Sequence, residues 1–258
     1  MRIRILLECS RMQRVPIDHH DLLRGAIYRW LEISDAEFAR QTHDEGYGDG
    51  ARKLKLFTYS LLRVPRSQRR LEAARDILAI APGRIEWWIT SPKDDFLRHE
   101  IQGLIASRQA LYVGDAAFRV VSVEAHPTPT FASPTSFICL TPIVASVPDP
   151  EGGSTARFLT HEQPLEFSEA VRKNLLRKHA LVNGQIPKDD SLSLTFADSY
   201  ISAHRPTKLR RIRGISVRGI EAPFTLTGSP ELMQTAWECG LGEKNGCGFG
   251  MIEVSSYR

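Results

Sequence analysis

The stretch HPTPTFASPTS at residues 126–136 divides the chain into two halves of comparable length. Three prolines among small polar residues disfavour helix and strand there, because proline lacks a backbone N–H and fixes φ. The alternating start at residues 2–8 and the apolar run FICLTPIV at 137–144 each open a half that is long enough to bury its own core. We therefore predict two domains, residues 1–125 and 137–258, on either side of this stretch.

Both halves show the same order of periodic segments. In the first half the patterns predict strand 2–8, helix about 18–31, short helix 36–43, strands 54–62 and 83–90, helix 94–107 and strand 112–125. In the second half they predict strand 137–144, a helix after Ser168, strands 192–200 and 210–220, a helix after Ser229 and strand 249–254. This order predicts an α+β protein of two tandem ferredoxin-like (βαββαβ) domains, each with an antiparallel sheet.

Composition and charge are those of an ordinary folded protein. Hydrophobic residues make up 42% and charged residues 25% of the 258 residues, which argues against disordered and fibrous classes. The formal net charge of +4 permits an anionic partner without requiring one. The opening MRIRILLE predicts a strand and no signal peptide, and no apolar run reaches the length of a membrane span. We therefore expect a cytoplasmic protein without membrane contact.

The motifs do not indicate metal or cofactor chemistry. The cysteines, Cys9, Cys139, Cys239 and Cys247, form no Cys-x-x-Cys pair, and their spacing suits neither a zinc site nor a disulfide framework. No carboxylate or histidine cluster with the spacing of a divalent-metal site stands out. We therefore predict no metal and no cofactor.

The first predicted helix presents a tyrosine away from its apolar stripe. At about 100° per residue, Leu23, Ile27 and Leu31 share one side of the helix, and Tyr28 lies on the polar side. A surface tyrosine commonly covers a neighbouring turn and directs its hydroxyl to water. The alternative is that Tyr28 takes part in chemistry, and the pattern leaves both interpretations open.

A histidine and several cations flank the segment GYGDG at residues 46–50. The short helix is predicted to end near His43, where the helix dipole favours a protonated imidazole, although an ordinary exposed histidine is the alternative. Arg52, Lys53 and Lys55 lead into the next strand. A tyrosine, a histidine and a lysine can supply the base, the acid and the cation that RNA cleavage requires without a metal.

The segment GLGEKNGCGFG at residues 240–250 contains five glycines, a density that predicts close approach of a bulky ligand to the backbone. It is not a Walker loop, because Gly-Lys-Ser/Thr is absent, and it follows a helix, which excludes a dinucleotide fingerprint. An equally weighted alternative is a turn that only allows tight packing of a strand. The candidate ligand contacts are Gly240, Gly242, Lys244, Asn245, Gly246, Gly248 and Gly250, and the family resemblance described below implies that the ligand is RNA.

Basic residues of the second half form two clusters. The first lies on a helix and comprises Arg172, Lys173, Arg177 and Lys178. A solvated helix face accounts for Lys173 and Arg177, because they fall opposite the apolar stripe. The second cluster is denser and is the better candidate for binding phosphate groups: Arg205, Lys208, Arg210, Arg211 and Arg213.

Three stretches resemble one family, the CRISPR-associated endoribonucleases that process repeat RNA, called Cas-six. They are LLRGAIYRWL at 22–31, LKLFTYSLL at 54–62 and GLGEKNGCGFGMIEV at 240–254. The resemblance spans nearly the whole chain and implies tandem ferredoxin-like domains. It also implies metal-independent cleavage of CRISPR repeat transcripts (pre-crRNA) within the repeat, leaving a 2′,3′-cyclic phosphate and a 5′-hydroxyl.

The resemblance implies that Tyr28, His43 and Lys55 are the catalytic residues. Tyr28 would activate or orient the 2′-hydroxyl, His43 would transfer protons, foremost as the acid, and Lys55 would stabilise the phosphorane. Tyr28 and His43 could exchange these roles, and Lys53 or Arg52 could replace Lys55. The implied partner is CRISPR repeat RNA, and a CRISPR effector complex and a homodimer are further partners that the resemblance allows.

A second hypothesis keeps the fold without the cleavage, namely a non-cleaving RNA-binding subunit of a CRISPR effector complex. The combination of tyrosine, histidine and lysine favours the nuclease, because a protein that only binds RNA needs no acid and base. A metabolic or structural ferredoxin-like protein would explain the fold, but it would explain neither the basic run nor the terminal glycines.

Overall fold

The first half is built around its alternating opening strand, in which Ile3, Ile5 and Leu7 are buried and Arg4 and Glu8 lie on the opposite face. The computed structural model describes residues 1–48, 53–149, 156–212 and 214–255. The helices of this half are α1 (His20–Ser34), α2 (Ala36–Arg40) and α3 (Asp94–Ala106). Its strands are β1 (Arg2–Cys9), β2 (Gln13–Pro16), β3 (Thr58–Tyr59), β4 (Arg69–Glu72), β5 (Ile77–Ile80), β6 (Gly83–Thr90), β7 (Ala110–Val113) and β8 (Ala116–His126).

The main sheet of this half has the strand order β3-β6-β1-β8-β7, and its pairings are antiparallel. Strands β1, β3, β6 and β8 are the four strands of a βαββαβ unit, in chain order, and α1 and α3 are its two helices. In the sheet they lie in the order second, third, first, fourth, and β7 is an additional hairpin strand at the edge. The ring centres of Trp30 in α1 and Trp87 in β6 lie 5.6 Å apart, in the core between the helices and the sheet. The predicted ferredoxin-like order is confirmed for this half.

Three features of the first half differ from the sequence prediction. The expected strand 54–62 forms a strand only at Thr58–Tyr59, and the expected strand 112–125 is the hairpin of β7 and β8. Residues 63–82, for which no element was predicted, contribute β4 and β5 to a separate antiparallel sheet with the order β2-β5-β4. Periodicity does not reveal β4, because its first three residues, Arg69, Arg70 and Leu71, are all exposed.

The second half repeats the plan of the first. Its helices are α4 (Pro164–Asn183), α5 (Asp198–Ala203) and α6 (Pro230–Cys239). Its strands are β9 (Thr135–Cys139), β10 (Ser146–Val147), β11 (Arg157–Phe158), β12 (Leu192–Phe196), β13 (Thr207–Ile212), β14 (Ile215–Ile220), β15 (Phe224–Gly228) and β16 (Ile252–Val254). The main sheet has the antiparallel order β12-β15-β9-β16, and its own core includes Phe137, Phe167 and Leu226. The chain therefore contains two ferredoxin-like units in tandem.

Several predictions for the second half are wrong in detail. The predicted strand 192–200 ends at Phe196, and α5 begins at Asp198. Helix α4 begins at Pro164, where a missing N–H costs nothing, so Ser168 lies inside the helix and is not its N-cap. The predicted strand 210–220 is the hairpin of β13 and β14, because the chain reverses at Gly214, whose φ is 79°. The third strand of the main sheet is β15 instead.

The two halves meet across a buried arginine. The Arg2 guanidinium lies 3.6 Å from the centre of the Trp237 ring and donates to the Ile252 carbonyl at 2.9 Å. Burial lowers the pKa of Arg2 to about 10, so the group stays charged at neutral pH. The Thr58 hydroxyl donates to the Phe249 carbonyl at 2.8 Å. These contacts fix β1 and β3 against β16 and the glycine-rich segment of the second half.

Candidate active site

Helix α1 and the turn after α2 bring Tyr28 and His43 into contact. Helix α2 continues into a π-helical turn, Gln41–Glu45, which carries His43. The rings of Tyr28 and His43 meet edge to face with centroids 4.9 Å apart, and the Tyr28 ring lies 6.3 Å from that of buried Phe57. The His43 side chain is 53% exposed. The tyrosine ring therefore supports a histidine that a bound molecule can reach.

The neighbouring carboxylate of Asp44 orients the His43 ring. His43 Nδ1 lies 2.7 Å from Asp44 Oδ1. Because a carboxylate only accepts hydrogen bonds, Nδ1 carries the proton and Nε2 is the nitrogen left for proton transfer. The hydrogen bond from His43 lowers the pKa of the Asp44 carboxyl. The sequence analysis missed Asp44, although its place directly after His43 is a signal that could have identified it.

The Lys55 ammonium closes the turn that carries His43. Lys55 Nζ donates to the Thr42 carbonyl at 2.6 Å and to the His43 carbonyl at 2.5 Å. An ammonium has three N–H donors, and among the described residues two of them have partners, so the third donor and the positive charge can serve an anionic group next to His43. Burial lowers the pKa of Lys55, and the charge of Asp44 raises it. Lys55 thus has both the place and the charge to contact a phosphate.

The structure therefore brings together Tyr28, His43 and Lys55, and their catalytic roles stay predictions. Of the two alternatives to Lys55, Lys53 is an exposed residue before β3. Arg52 lies outside the described residues.

The glycine-rich segment 240–250 packs against the chain around Lys55. A Cβ atom on Gly246 would lie 2.7 Å from Lys55 Cβ and 2.8 Å from Lys55 Cγ. Gly250 has a φ of 69°, and a Cβ atom there would lie 1.9 Å from the Leu241 carbonyl oxygen. Both positions require glycine because another part of the protein occupies the space. These contacts correspond to the tight-packing interpretation that the sequence left open.

The predicted RNA contacts of this segment differ in their exposure. Lys244 is exposed, whereas Asn245 is 4% exposed and its amide donates to the carbonyls of Leu241 and Phe249. The glycines among the predicted contacts are all buried: Gly240, Gly242, Gly246, Gly248 and Gly250. The Asn245 side chain therefore braces the segment from inside. RNA contact here stays a prediction, for which Lys244 offers the accessible side chain.

A buried lysine holds the base of the glycine-rich segment. Lys178 of α4 is 1% exposed, and its Nζ donates to the carbonyls of Gly240 at 2.7 Å and Gly242 at 2.6 Å. Burial lowers the pKa of Lys178 to about 7. The sequence grouped Lys178 with the exposed Lys173 and Arg177 on the same helix, and the structure separates it from them. Lys178 therefore belongs to the interior.

The basic run 205–213 lies on and before the hairpin of β13 and β14. Arg210 Nη1 lies 3.1 Å from Asp18 Oδ1, and the Arg211 backbone N–H donates to Asp18 Oδ2 at 3.1 Å. The hairpin is thereby tied to the first half, just before α1. The side chains of Arg205 and Arg211 are exposed, and that of Lys208 is partly exposed. Arg213 lies outside the described residues. Phosphate binding by this run stays a prediction.

The part of the chain that the structure describes contains neither a metal-binding cluster nor a membrane-spanning helix. No group of three or more histidine, cysteine, aspartate or glutamate side chains is placed to hold a metal ion there. No helix in the same ranges has the length and apolarity needed to cross a lipid bilayer.

Replacement of Gly246 by alanine tests the contact between the glycine-rich segment and Lys55. The new methyl group would displace the Lys55 stem, and a displacement near 1 Å reduces turnover by roughly tenfold to a hundredfold. For the RNA cleavage that the sequence predicts, the expected result is a lower rate with little loss of RNA affinity. In a Lys55→Ala background the same change should add little, because the displaced side chain is gone. Additive losses would show that Gly246 acts elsewhere.

The fold and the site define a class of protein: a tandem ferredoxin-like chain with a tyrosine, a histidine and a lysine gathered against a glycine-rich segment. Residues 14–124 match the family described as CRISPR-associated protein Cas6, N-terminal, and residues 126–254 match CRISPR associated protein Cas6, C-terminal. The chain belongs to the Cas6 family.

Individual relatives agree with this family. CRISPR-associated endoribonuclease Cas6 1 of Methanocaldococcus jannaschii is 27% identical over 253 residues, which cover 98% of this chain and 92% of the relative. A structure described as the characterization of a Cas6-related gene from Pyrococcus furiosus has a TM-score of 0.84 and 21% identity, covering 100% of this chain and 99% of the other. A structure described as a RAMP protein binding different RNA substrates has a TM-score of 0.81 and 21% identity, covering 99% and 100%. These two structures share the fold of this chain.

Proposed function

We propose that this protein is an endoribonuclease that cleaves CRISPR repeat transcripts within the repeat, without a metal ion. The observation that carries the proposal is the convergence of Tyr28, His43 and Lys55 from three separate segments on one accessible place. A structural role alone does not require a histidine that is held by a carboxylate and still exposed. The name of the Methanocaldococcus jannaschii relative, an endoribonuclease, supports the same activity.

The proposed reaction begins with attack of a 2′-hydroxyl on the adjacent phosphorus. The bond to the 5′-oxygen then breaks, which leaves a 2′,3′-cyclic phosphate and a 5′-hydroxyl. Tyr28 activates or orients the attacking 2′-hydroxyl, whose proton passes to the Tyr28 oxygen or to solvent water. His43, in the form that carries a proton on both ring nitrogens, donates the proton of Nε2 to the departing 5′-oxygen. Lys55 contributes its remaining N–H and its charge to the phosphorane oxygens.

RNA binding is assigned to exposed cations of the second half. Lys244 is the exposed side chain within the glycine-rich segment, Arg211 lies on the hairpin that is tied to Asp18, and Arg205 lies just before that hairpin. Contacts of this kind neutralise phosphates irrespective of sequence, so they position the RNA. Single-stranded bases or a stem held by its phosphates would then select the repeat.

The second candidate is a non-cleaving RNA-binding protein of the same fold. It is favoured by the structural similarity to a RAMP protein described as binding different RNA substrates. The Lys55 contacts also fit it in part, because two of the three ammonium donors are engaged by the turn. Cleavage and binding therefore have to be measured separately.

The deciding experiment compares two RNAs in excess EDTA: a repeat RNA, and the same RNA with a 2′-deoxy sugar just upstream of the cut. We expect cleavage of the first alone, with a cyclic phosphate on the upstream product, because the 2′-hydroxyl is the nucleophile. Cleavage of both RNAs would exclude attack by the 2′-hydroxyl. Binding of both without cleavage of either would establish the second candidate.

A further inference from the structure

An arginine-rich surface lies at the end of the first half away from the candidate active site. It is formed by β2, β4 and β5 with their flanking residues, 10–17 and 66–81, and is called the arginine sheet below. Its cations are Arg11, Arg14, Arg66, Arg69, Arg70 and Arg75, against the two carboxylates of Glu72 and Asp76. The excess of four positive charges equals the formal net charge of the whole chain, +4. These two short segments therefore carry a local excess of positive charge.

These arginines are exposed and largely unneutralised. All six are exposed to solvent. Arg14 Nε lies 3.5 Å from Glu72 Oε1, and within the described ranges none of the other five has a carboxylate oxygen within 4.0 Å. A fold gains nothing from like charges that are held close together without partners. The arrangement therefore suits an anionic partner that supplies the missing charge.

The strand register places two of these cations on either side of a small residue. Arg14 of β2 and Arg70 of β4 are both paired with Ala79 of the central strand β5, so the three share one face. Two strand spacings separate the arginine Cα atoms by roughly 10 Å. Ala79 itself is 3% exposed, so a chain of phosphates on this face would contact the two guanidinium groups and not the Ala79 side chain. Guanidinium groups match phosphate oxygens in a bidentate way, and residues 10–17 and 66–81 contain no lysine.

The arginine sheet continues into the basic hairpin of the second half. The chain leaves β2 through Ile17, whose N–H donates to the Asp76 carbonyl at 2.8 Å, and reaches Asp18. Asp18 binds Arg210 and the backbone of Arg211. The hairpin cations and the arginine sheet therefore form adjoining parts of one basic surface.

The arginine sheet is too far from the candidate active site to hold the scissile phosphate. Thr58, three residues after Lys55, is paired with Thr90, and Thr90 is paired with Arg2 on its other side. These residues lie at one end of the main sheet. The chain enters the arginine sheet after Cys9, at the other end of β1. Eight residues of strand separate the two ends of β1 by roughly 25 Å, which is the separation of Thr58 from the side of the arginine sheet next to Cys9. RNA on the arginine sheet would therefore lie several nucleotides from the cut.

We infer that the arginine sheet binds the phosphate backbone of the transcript that flanks the cleaved repeat, an inference that rests on the proposed function. It extends the RNA path from the active site, past the hairpin, to β4. Its contribution appears only with RNA long enough to reach it. The predicted RNA contacts 205–213 and 240–250 do not include any of these arginines.

The test uses the variant Arg66→Gln/Arg69→Gln/Arg70→Gln. Two RNAs are compared: the repeat alone, and the repeat extended on both sides by about 15 nucleotides, a length that fills a typical binding site for single-stranded nucleic acid. A control, Arg157→Gln/Lys173→Gln/Lys188→Gln, removes three exposed cations elsewhere. Kd is measured over a series of salt concentrations. The variant should bind the extended RNA roughly tenfold more weakly than the wild type. The slope of log affinity against log salt concentration should become smaller in magnitude by about 2, since each lost phosphate contact on single-stranded RNA accounts for about 0.7. The control should behave as the wild type.

Three further results decide the inference. The variant should cleave the short repeat at the wild-type rate, and an Arg→Lys version of the triple variant should retain most of the salt dependence, because it keeps the charge. Wild-type affinity of the glutamine variant for the extended RNA, with increased aggregation, would overturn the inference and show that the arginines only protect the edge strand β4. Failure of the wild type to cleave either RNA would refute the proposed activity, while the Kd comparison would still judge the arginine sheet.

Discussion

Replacement of His43 by alanine is expected to slow cleavage of repeat RNA by about 10²–10⁴-fold, the range that a positioned general acid or base contributes. RNA affinity should stay close to that of the wild type, because His43 is exposed and does not belong to the basic surface. Its Nδ1 is held by Asp44, so Nε2 is the atom whose loss matters. Single-turnover cleavage rates and separately measured Kd values test this expectation.

Two variants control the interpretation of His43→Ala. His204→Ala removes an exposed histidine that stacks on Tyr200 in the second half, and it should leave the rate unchanged. Tyr28→Phe keeps the ring contact with His43 and removes only the hydroxyl, so a slower rate there would assign chemistry to the hydroxyl. Equal losses of rate and affinity in His43→Ala would contradict a catalytic role and indicate a binding role.

Replacement of Lys178 by methionine is expected to lower the free energy of unfolding by about 2–4 kcal/mol, because a buried acceptor left without its donor costs about 1–3 kcal/mol. The change would leave the carbonyls of Gly240 and Gly242 without their donor. Burial of the methionine offsets part of this cost. Lys173→Met on the same helix is the matched control, and its side chain is 69% exposed, so its effect should stay within about 0.5 kcal/mol. Chemical denaturation measures both values.

The pH dependence of the same variant gives a second test. Burial lowers the pKa of Lys178 to about 7 from an ordinary value of 10.5, against the charges of Cys239 and Glu243, which raise it. Between these pH values the unfolded chain holds a proton that the folded chain has lost, so raising the pH favours the folded state. The stability of the wild type relative to Lys178→Met should therefore increase as the pH rises from about 7 toward 10.5. A constant difference over this range would show that Lys178 is not buried as described.

The fold was predictable to the extent that it depends on local periodicity. The alternation of Ile3, Ile5 and Leu7 and the apolar stripes of the helices follow directly from burial of one face. The missed elements lack such a face. Strand β4 is exposed along most of its length, and the break at Gly214 turns one predicted strand into a hairpin. Pairing with β5 stabilises β4, and that pairing is not visible in a single segment.

Part of the candidate site was predictable in the same way. The positions of Tyr28 and His43 on predicted helices made them candidates, with an ordinary surface role as the alternative. Only the resemblance implied catalytic roles for them and for Lys55. The turn geometry that gives Lys55 two carbonyl partners depends on a π-helical turn that propensity does not predict. Asn245 and Lys178 looked like surface residues, because an amide and an ammonium are usually found in water. Both are buried here, since each finds backbone carbonyls to bind.

The sequence by itself determined the two-part order of strands and helices and the membership in the Cas6 family, and it predicted which side chains are the candidates for catalysis. These depend on periodicity and on short motifs, which are local properties. Only the tertiary structure decided that the glycines of 240–250 accommodate Lys55 and Leu241, that Lys178 is internal, and that six arginines gather on one sheet. The physical reason is that close packing, buried hydrogen bonds and charge density each depend on distances between segments that lie far apart in the chain.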